Sequence, residues 1–285
     1  MRLPMIYNYH VIHKISNGAF GVVWKAIHTD SIKEEEVAIK TERKLERKSH
    51  LKNELKILNR LKGLPVVPKV IYFGETGSYN YIVMELLGKT IGNYCHSNHI
   101  ISFSSTIDWS LIRLGISMLH CIRTIHERGI IHRDIKPDNF LFSLDNSKLY
   151  IVDFGLSVSY LDVNKCHVPI SANDTIVGSV DYISYYIHEG ISASRRDDLI
   201  SMIYVMIYIV NKQLPWQLNE YVSLEERIRN IYEHKYSISP NILCQGTPDI
   251  LITILVYCYN LNYDDIPDYD YIRFLLETYD HCSHI

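Results

Sequence analysis

Apolar residues along this chain follow two different spacings, and the change falls near residue 108. In the first part they come as short runs rich in β-branched and aromatic residues. Residues 10–23 read as a strand, a glycine-containing turn and a second strand. Val37, Ala38, Ile39 and Lys40 make a third, and residues 70–73 and 81–84 make two more around a turn at Glu75, Thr76, Gly77 and Ser78. Within this region Leu51, Leu55, Leu58 and Leu61 fall at helical spacing, and Gly63 and Pro65 end that helix. The first 87 residues are therefore expected to be mainly sheet with one helix, after a short arm up to residue 8, and Leu86, Leu87 and Gly88 mark a linker. From Asp108 onward, Trp109, Ile112, Ile116, Leu119, Ile122 and Ile125 predict a long amphipathic helix that stops at Gly129. Short strands follow at 130–131 and 148–152. Residues 156–190 show little periodicity, and a loop of that length inside a domain is usually functional. Residues 198–210, 224–232, 248–259 and 269–279 then read as helices.

Composition narrows the classes. A length of 285 residues suits one large domain or two lobes, and 47% hydrophobic residues is ordinary for a packed core. A net charge of −3 argues against a dedicated nucleic-acid binder. The charge is uneven: nine Lys or Arg stand against three Glu between residues 40 and 62, and acids dominate residues 264–280. The basic run reads as a solvated helix face or as a docking surface for acidic partners. Six scattered cysteines, with no C-x-x-C pair, read as reduced thiols rather than a zinc or redox site. No secretory leader is expected, the C-terminal residues are not a usual prenylation signal, and the longest apolar run, residues 199–210, is too short to span a bilayer.

The chemistry concentrates in residues 132–141, His-Arg-Asp-Ile-Lys-Pro-Asp-Asn-Phe-Leu, and in Asp153, Phe154 and Gly155 twelve residues later. Asp134, Lys136 and Asn139 place a carboxylate, an ammonium and an amide within six residues. Asp153 adds a second carboxylate, ahead of a glycine expected to let the backbone turn. Phosphoryl transfer from a nucleotide needs such a set: a carboxylate to accept the attacking hydroxyl's proton, a cation on the moving group, and hard oxygens for magnesium. Upstream, Gly18 and Gly21 lie at a turn between two strands, where backbone N–H groups can approach phosphate oxygens. Lys40 ends a strand. Glu54 lies fourteen residues on, on a helix face shared with Leu51, Leu55 and Leu58, and an acid so placed needs a partner.

Residues 132–141 resemble the catalytic loop of a protein kinase, and residues 153–155 its metal-binding loop. Asp138, Asn139, Phe140 and Leu141 have the casein kinase 1 form. So do Met84, Glu85, Leu86, Leu87 and Gly88 at the hinge, residues 194–199, and Leu214, Pro215, Trp216 and Gln217. Ile183, Ser184 and Tyr185 stand where most kinases have Ala-Pro-Glu, as in casein kinase 1. The resemblance covers about residues 10–280. It implies an α+β bilobal kinase fold with one catalytic domain over 9–280: an N-lobe of about 9–85, a hinge at 85–88 and a C-lobe over 89–280; members of the family often add a long C-terminal regulatory tail, and none is expected here.

The resemblance also implies roles for individual residues. Asp134 is the base, assisted by Lys136, whose presence matches serine/threonine kinases. Lys40, held by Glu54, reaches the nucleotide phosphates. Ser179 steadies Asp134 and Lys136. Asn139 and Asp153 bind Mg2+. Ile15, Ser16, Asn17, Gly18, Ala19, Phe20, Gly21, Val22 and Val23 cover ATP, while Val23, Ala38 and Leu141 sandwich its base. Met84 leads into the hinge, where backbone groups of Glu85 and Leu87 meet the adenine edge. His132 is read as structural, packing under Phe154, and Asp198 as a helix cap that also holds the catalytic-loop backbone. The implied cofactors are ATP and Mg2+. The implied partners are protein substrates, acidic ones included, with no nucleic acid and no membrane, for a monomer in the cytoplasm or nucleus.

Two positions depart from the pattern. Ser16 replaces the first glycine of the phosphate-covering turn, which predicts an altered nucleotide grip. Asp181 stands beside Tyr182 where the family usually has an arginine that helps bind a phosphate on the substrate. That replacement predicts weaker preference for substrates already phosphorylated upstream. Two other readings are a pseudokinase scaffold, supported only by Ser16 and Asp181, and a small-molecule phosphotransferase, disfavoured by the context of residues 133–136.

Overall fold

Alternation of side chains along the early strands decides which residues meet. A computed structural model describes residues 5–6, 8–18, 21–29, 35–44, 49–97, 111–172, 175–217 and 223–282. Among them, β1 (Met5–Ile6), β2 (Tyr9–Gly18), β3 (Gly21–His28), β4 (Glu36–Arg43), β5 (Val70–Glu75) and β6 (Tyr79–Glu85) form an antiparallel sheet in the order β1-β2-β3-β4-β6-β5. β4 is paired on both edges, and Val37 through Thr41 are all buried because both of its faces are packed. Its odd positions, Val37 and Ile39, pack with Tyr9, Ala26, Tyr81 and Val83. Its even position Ala38 packs with Leu51, Ile82 and Met84. The two-residue period therefore puts Lys40 on the face that α1 (His50–Arg60) covers. Ser49 caps α1 by accepting from Lys52 N at 3.1 Å, and Glu42 Oε1 accepts from His50 N at 2.9 Å.

The chain divides into two units, Met1–Lys89 with Leu141–Ser157, and Thr90–Phe140 with Val158–Ile285. Residues 141–157 join the first unit through backbone bonds: Gly88 N to Phe142 O at 2.8 Å, Phe142 N to Lys89 O at 3.0 Å, and Ile151 N to Val66 O at 2.8 Å. The short strands Phe140–Phe142 and Leu149–Ile151 pair with each other.

The second unit is helical. It contains α2 (Ile91–Ser97), α3 (Leu111–His126), α4 (Tyr185–His188), α5 (Arg195–Asn211), α6 (Leu224–Ser237), α7 (Pro240–Leu243), α8 (Ile250–Tyr259) and α9 (Tyr269–Cys282). α5 is buried almost all round and packs against α3 and α8, while α9 packs against α3 and α8. The predicted start of α3 at Asp108 and Trp109 lies outside the described residues. α5 begins three residues before the helix expected over residues 198–210. Ser194 is its N-cap, and the Asp197 carboxylate reaches back to Ser194 N at 2.7 Å. The cap is thus Ser194 with Asp197 rather than Asp198. No described helix is long and apolar enough to cross a membrane, and among the described residues Cys95, Cys121, Cys166, Cys244 and Cys258 are in no disulfide.

Candidate active-site residues

In the first unit, Lys40 Nζ lies 2.6 Å from Glu54 Oε2 and 2.7 Å from Asp153 Oδ1. Glu54 is only 3% exposed, so the pair is a buried one. Burial alone would lower the Lys40 pKa. The carboxylates of Glu54 and Asp153 outweigh it and hold the ammonium charged, above the ordinary lysine range. Asp153, not Gly155, makes the turn: its φ is 66°, and Gly155 lies in the one-turn 3-10 helix Phe154–Leu156. A left-handed aspartate is costly unless its surroundings fix it. Asn53 on α1 does part of this, donating to Gly155 O and Ser157 O at 3.0 Å each.

The residues expected to cover a nucleotide lie on the sheet. Ile15, Ser16, Asn17 and Gly18 are exposed on β2, and Gly21, Val22 and Val23 are half-buried on β3. Ala19 and Phe20 lie outside the described residues. Ser16 pairs opposite Val23 and is not left-handed, so glycine's freedom is not needed there. It is needed at Gly21, where φ is 143° and a Cβ would fall 2.1 Å from Thr41 O. Ala38 and Met84 are paired and buried, and Glu85, Leu87 and Leu141 are half-buried. Glu85 N donates to Lys69 O at 2.9 Å.

In the second unit, Asp134 is 3% exposed and accepts from four donor groups. Ser179 N and Oγ reach Oδ1 at 2.9 and 2.7 Å. Lys136 Nζ and Asn139 Nδ2 reach Oδ2 at 2.7 and 3.1 Å. Lys136 Nζ also lies 3.2 Å from Ser179 Oγ, and Asn139 Nδ2 lies 2.7 Å from Asp134 O. With its nitrogen engaged in this way, Asn139 presents its oxygen as the donor for a hard cation. Two backbone features shape this loop. Arg133 is left-handed, with φ of 69°, and Gly178, with φ of 107°, passes so close that a Cβ would fall 2.4 Å from Arg133 O.

Asp198 holds the same loop from behind. Its Oδ2 accepts from His132 N at 2.7 Å and its Oδ1 from Arg133 N at 2.9 Å. His126 Nε2 lies 2.9 Å from Oδ2, and His126 Nδ1 lies 2.7 Å from Tyr269 OH. Burial would raise the Asp198 pKa, but these hydrogen bonds outweigh it and keep the carboxyl below its ordinary value. His132 is fully buried, and its Nδ1 accepts from Asp134 N at 3.3 Å, which suits a structural role.

Asp181 does not face solvent alone. Arg227 Nη2 lies 2.8 and 2.9 Å from its two oxygens, and Gln217 Nε2 donates at 3.2 Å. Trp216 Nε1 donates to Asp181 O at 2.9 Å. Lys235, 2% exposed, donates to Val180 O at 2.6 Å and Ile183 O at 2.7 Å, on either side of Asp181. Its Nζ also lies 3.3 Å from His188 Nε2 and 5.0 Å from the Trp216 ring centre. Sequence reasoning missed Arg227, Lys235, His126 and Asn53. A signal existed for the first two: Arg227, Ile231 and Lys235 recur every four residues on α6, and a lysine in line with a buried isoleucine calls for a buried acceptor.

A family model described as the protein kinase domain matches residues 9–260. The chain is also 35% identical, over 280 residues, to a Schizosaccharomyces pombe protein named Casein kinase I homolog 3. That alignment takes in 95% of this chain and 62% of the relative, so the chain spans less than two thirds of that protein's length.

Proposed function

This chain belongs to the protein kinase family, and from that premise we propose that it transfers the γ-phosphoryl group of ATP to serine or threonine hydroxyls of proteins, as a catalytic domain of casein kinase 1 type. The observation that carries the reading is Asp134, a buried carboxylate fixed by Ser179, Lys136 and Asn139. Asp134 orients the acceptor hydroxyl and takes its proton, and Lys136 offsets charge on the moving group. Lys40, held by Glu54, binds the nucleotide phosphates. The residues from Ile15 to Val23 cover them, and Ala38, Val23 and Leu141 enclose the base. Glu85 N is bonded to Lys69 O, so the contact expected from Glu85 falls to its carbonyl, with Leu87 beside it. Asn139 and Asp153 offer the hard oxygen donors that suit magnesium, which would neutralise phosphate charge when bound. Cysteines outside disulfides among the described residues suit action on intracellular proteins, and the proposed working form is a monomer.

The test is incubation of the purified chain with Mg2+, γ-labelled ATP and dephosphorylated casein. The expected result is label on phosphoserine and phosphothreonine, abolished by EDTA. Nucleotide binding without transfer, or label moving only to small alcohols or aminoglycosides, would sink the reading.

Asp181 refines the expected substrate preference. Its carboxylate neutralises Arg227 where a substrate phosphate could otherwise be bound. The expectation is weak discrimination between primed and unprimed peptides in the wild type. Asp181→Ala frees Arg227, and kcat/KM for a peptide with an upstream phosphoserine should rise roughly tenfold over its unphosphorylated counterpart, allowing for a half-exposed pair. Equal use of both peptides by the variant would remove the ion pair from the explanation.

A further inference from the structure

One surface of the first unit lies apart from the residues assigned to phosphoryl transfer, meeting them only at Glu85. Between the end of α1, residues 62–69 and β5 lies a groove with a cavity volume of ≈ 650 Å³. Leu55 and Leu58 from α1 and Val70 and Phe73 from β5 help to line it. Of these, Leu55, Val70 and Phe73 are only half-buried and rest on the Ala38, Leu51, Ile82 and Met84 cluster. β5 is an edge of the sheet, and along it Ile71 is 43% and Tyr72 40% exposed. Apolar side chains on an exposed sheet edge invite a further strand.

Charge points to what that strand carries. Lys62 and Lys69 both line the groove and are exposed, and among the described residues neither has an ion-pair partner. Lys44 and Lys52 nearby contrast with them, since both bond Glu75 at 2.9 Å. The carboxylate that lines the groove, Glu85, is turned to Lys69 N at 3.2 Å and Tyr150 OH at 3.4 Å. The groove thus joins an apolar floor, an edge strand and two cations lacking counter-charges.

We propose that this groove binds an extended acidic segment of a partner protein, with large apolar side chains on its floor and carboxylates at Lys62 and Lys69. The volume is in the range that holds a few side chains, and strand addition supplies backbone bonds. The binding needs no phosphoryl transfer, so it stands or falls apart from the activity.

A fluorescein-labelled peptide with Leu and Phe two residues apart among Asp and Glu places both apolar groups on one face of a strand. Fluorescence polarisation with the full chain should show saturable binding. The double variant Lys62→Glu, Lys69→Glu should weaken it at least roughly tenfold, and Ile71→Ser should weaken it as well, with melting temperature and casein phosphorylation unchanged. A peptide with Ser in place of Leu and Phe should bind more weakly. If charge reversal lowers the melting temperature, Lys62→Gln with Lys69→Gln gives the same reading. Absence of saturable binding, or equal binding by the charge-reversed chain, overturns the proposal. So does self-association in sedimentation velocity that Ile71→Ser abolishes, because the groove would then hold a second copy.

Discussion

Asp134→Asn is expected to lower kcat for the proposed protein phosphorylation by about 10²- to 10⁴-fold, the usual contribution of a positioned general base. Nucleotide affinity is expected to stay nearly constant, because the residues proposed to hold ATP are elsewhere. The amide is not a neutral replacement. Ser179 donates to one oxygen of Asp134, while Lys136 and Asn139 donate to the other. An amide accepts at only one end, so one set of donors loses its partner, at a cost of about 1–3 kcal/mol. Measuring initial rates well below the variant's melting temperature separates that cost from the chemistry. A variant that kept more than about a tenth of the wild-type rate would remove Asp134 from the role of base.

Lys235→Met has its largest effect on stability. The side chains are similar in length, but methionine has no N–H to give Val180 O and Ile183 O. Leaving these carbonyls without donors costs about 2–4 kcal/mol, which for a chain of this size lowers Tm by about 5–10 °C. Activity should fall too, because the clamped segment follows directly on Ser179, which bonds Asp134. The pH dependence supplies an independent check. Burial pushes the Lys235 pKa well below the free-lysine value of 10.5, although Asp181 opposes it. The unfolded chain therefore holds this proton more readily than the folded one, and the wild type gains stability as pH rises toward 10.5. The methionine variant should lose that part of the slope. Unchanged Tm and slope would show that the two carbonyls are satisfied without Lys235.

Sheet and helix positions were readable where a period repeats long enough to be seen. The leucines of α1 are of that kind, while β4 and β6 were read from short runs of β-branched and aromatic residues, both being buried almost throughout. α2, α4 and α7 were not read, because four to seven residues carry no period. Ser184 and Ser239, the latter followed by Pro240, cap α4 and α7, accepting from Ile187 N and Ile242 N. Within the catalytic loop, the five-residue step from Asp134 to Asn139 is local enough to be chemical information in itself. Ser179 comes from 45 residues away and was reached only through resemblance. Asp181 was read as an open reversal of charge; the fold pairs it with Arg227, which no local pattern could disclose. The turn at residues 153–155 was assigned to its glycine, whereas the aspartate takes the left-handed conformation because the Lys40 pair and the Asn53 bonds hold its neighbourhood.

The first unit owns a stretch of chain from beyond the start of the second. On a ribosome, residues 1–89 emerge early, yet the carboxylate that completes the Lys40 cluster and the amide that closes on Val66 arrive only with residues 141–157. The six-stranded sheet has all its residues by then, but its unit must wait, incomplete, while helical segments are made in between, an interval of several seconds at ordinary translation speed. Splitting the gene after codon 89 would therefore yield a first fragment lacking its own closing strands, and co-expressing the remainder would have to supply them in trans.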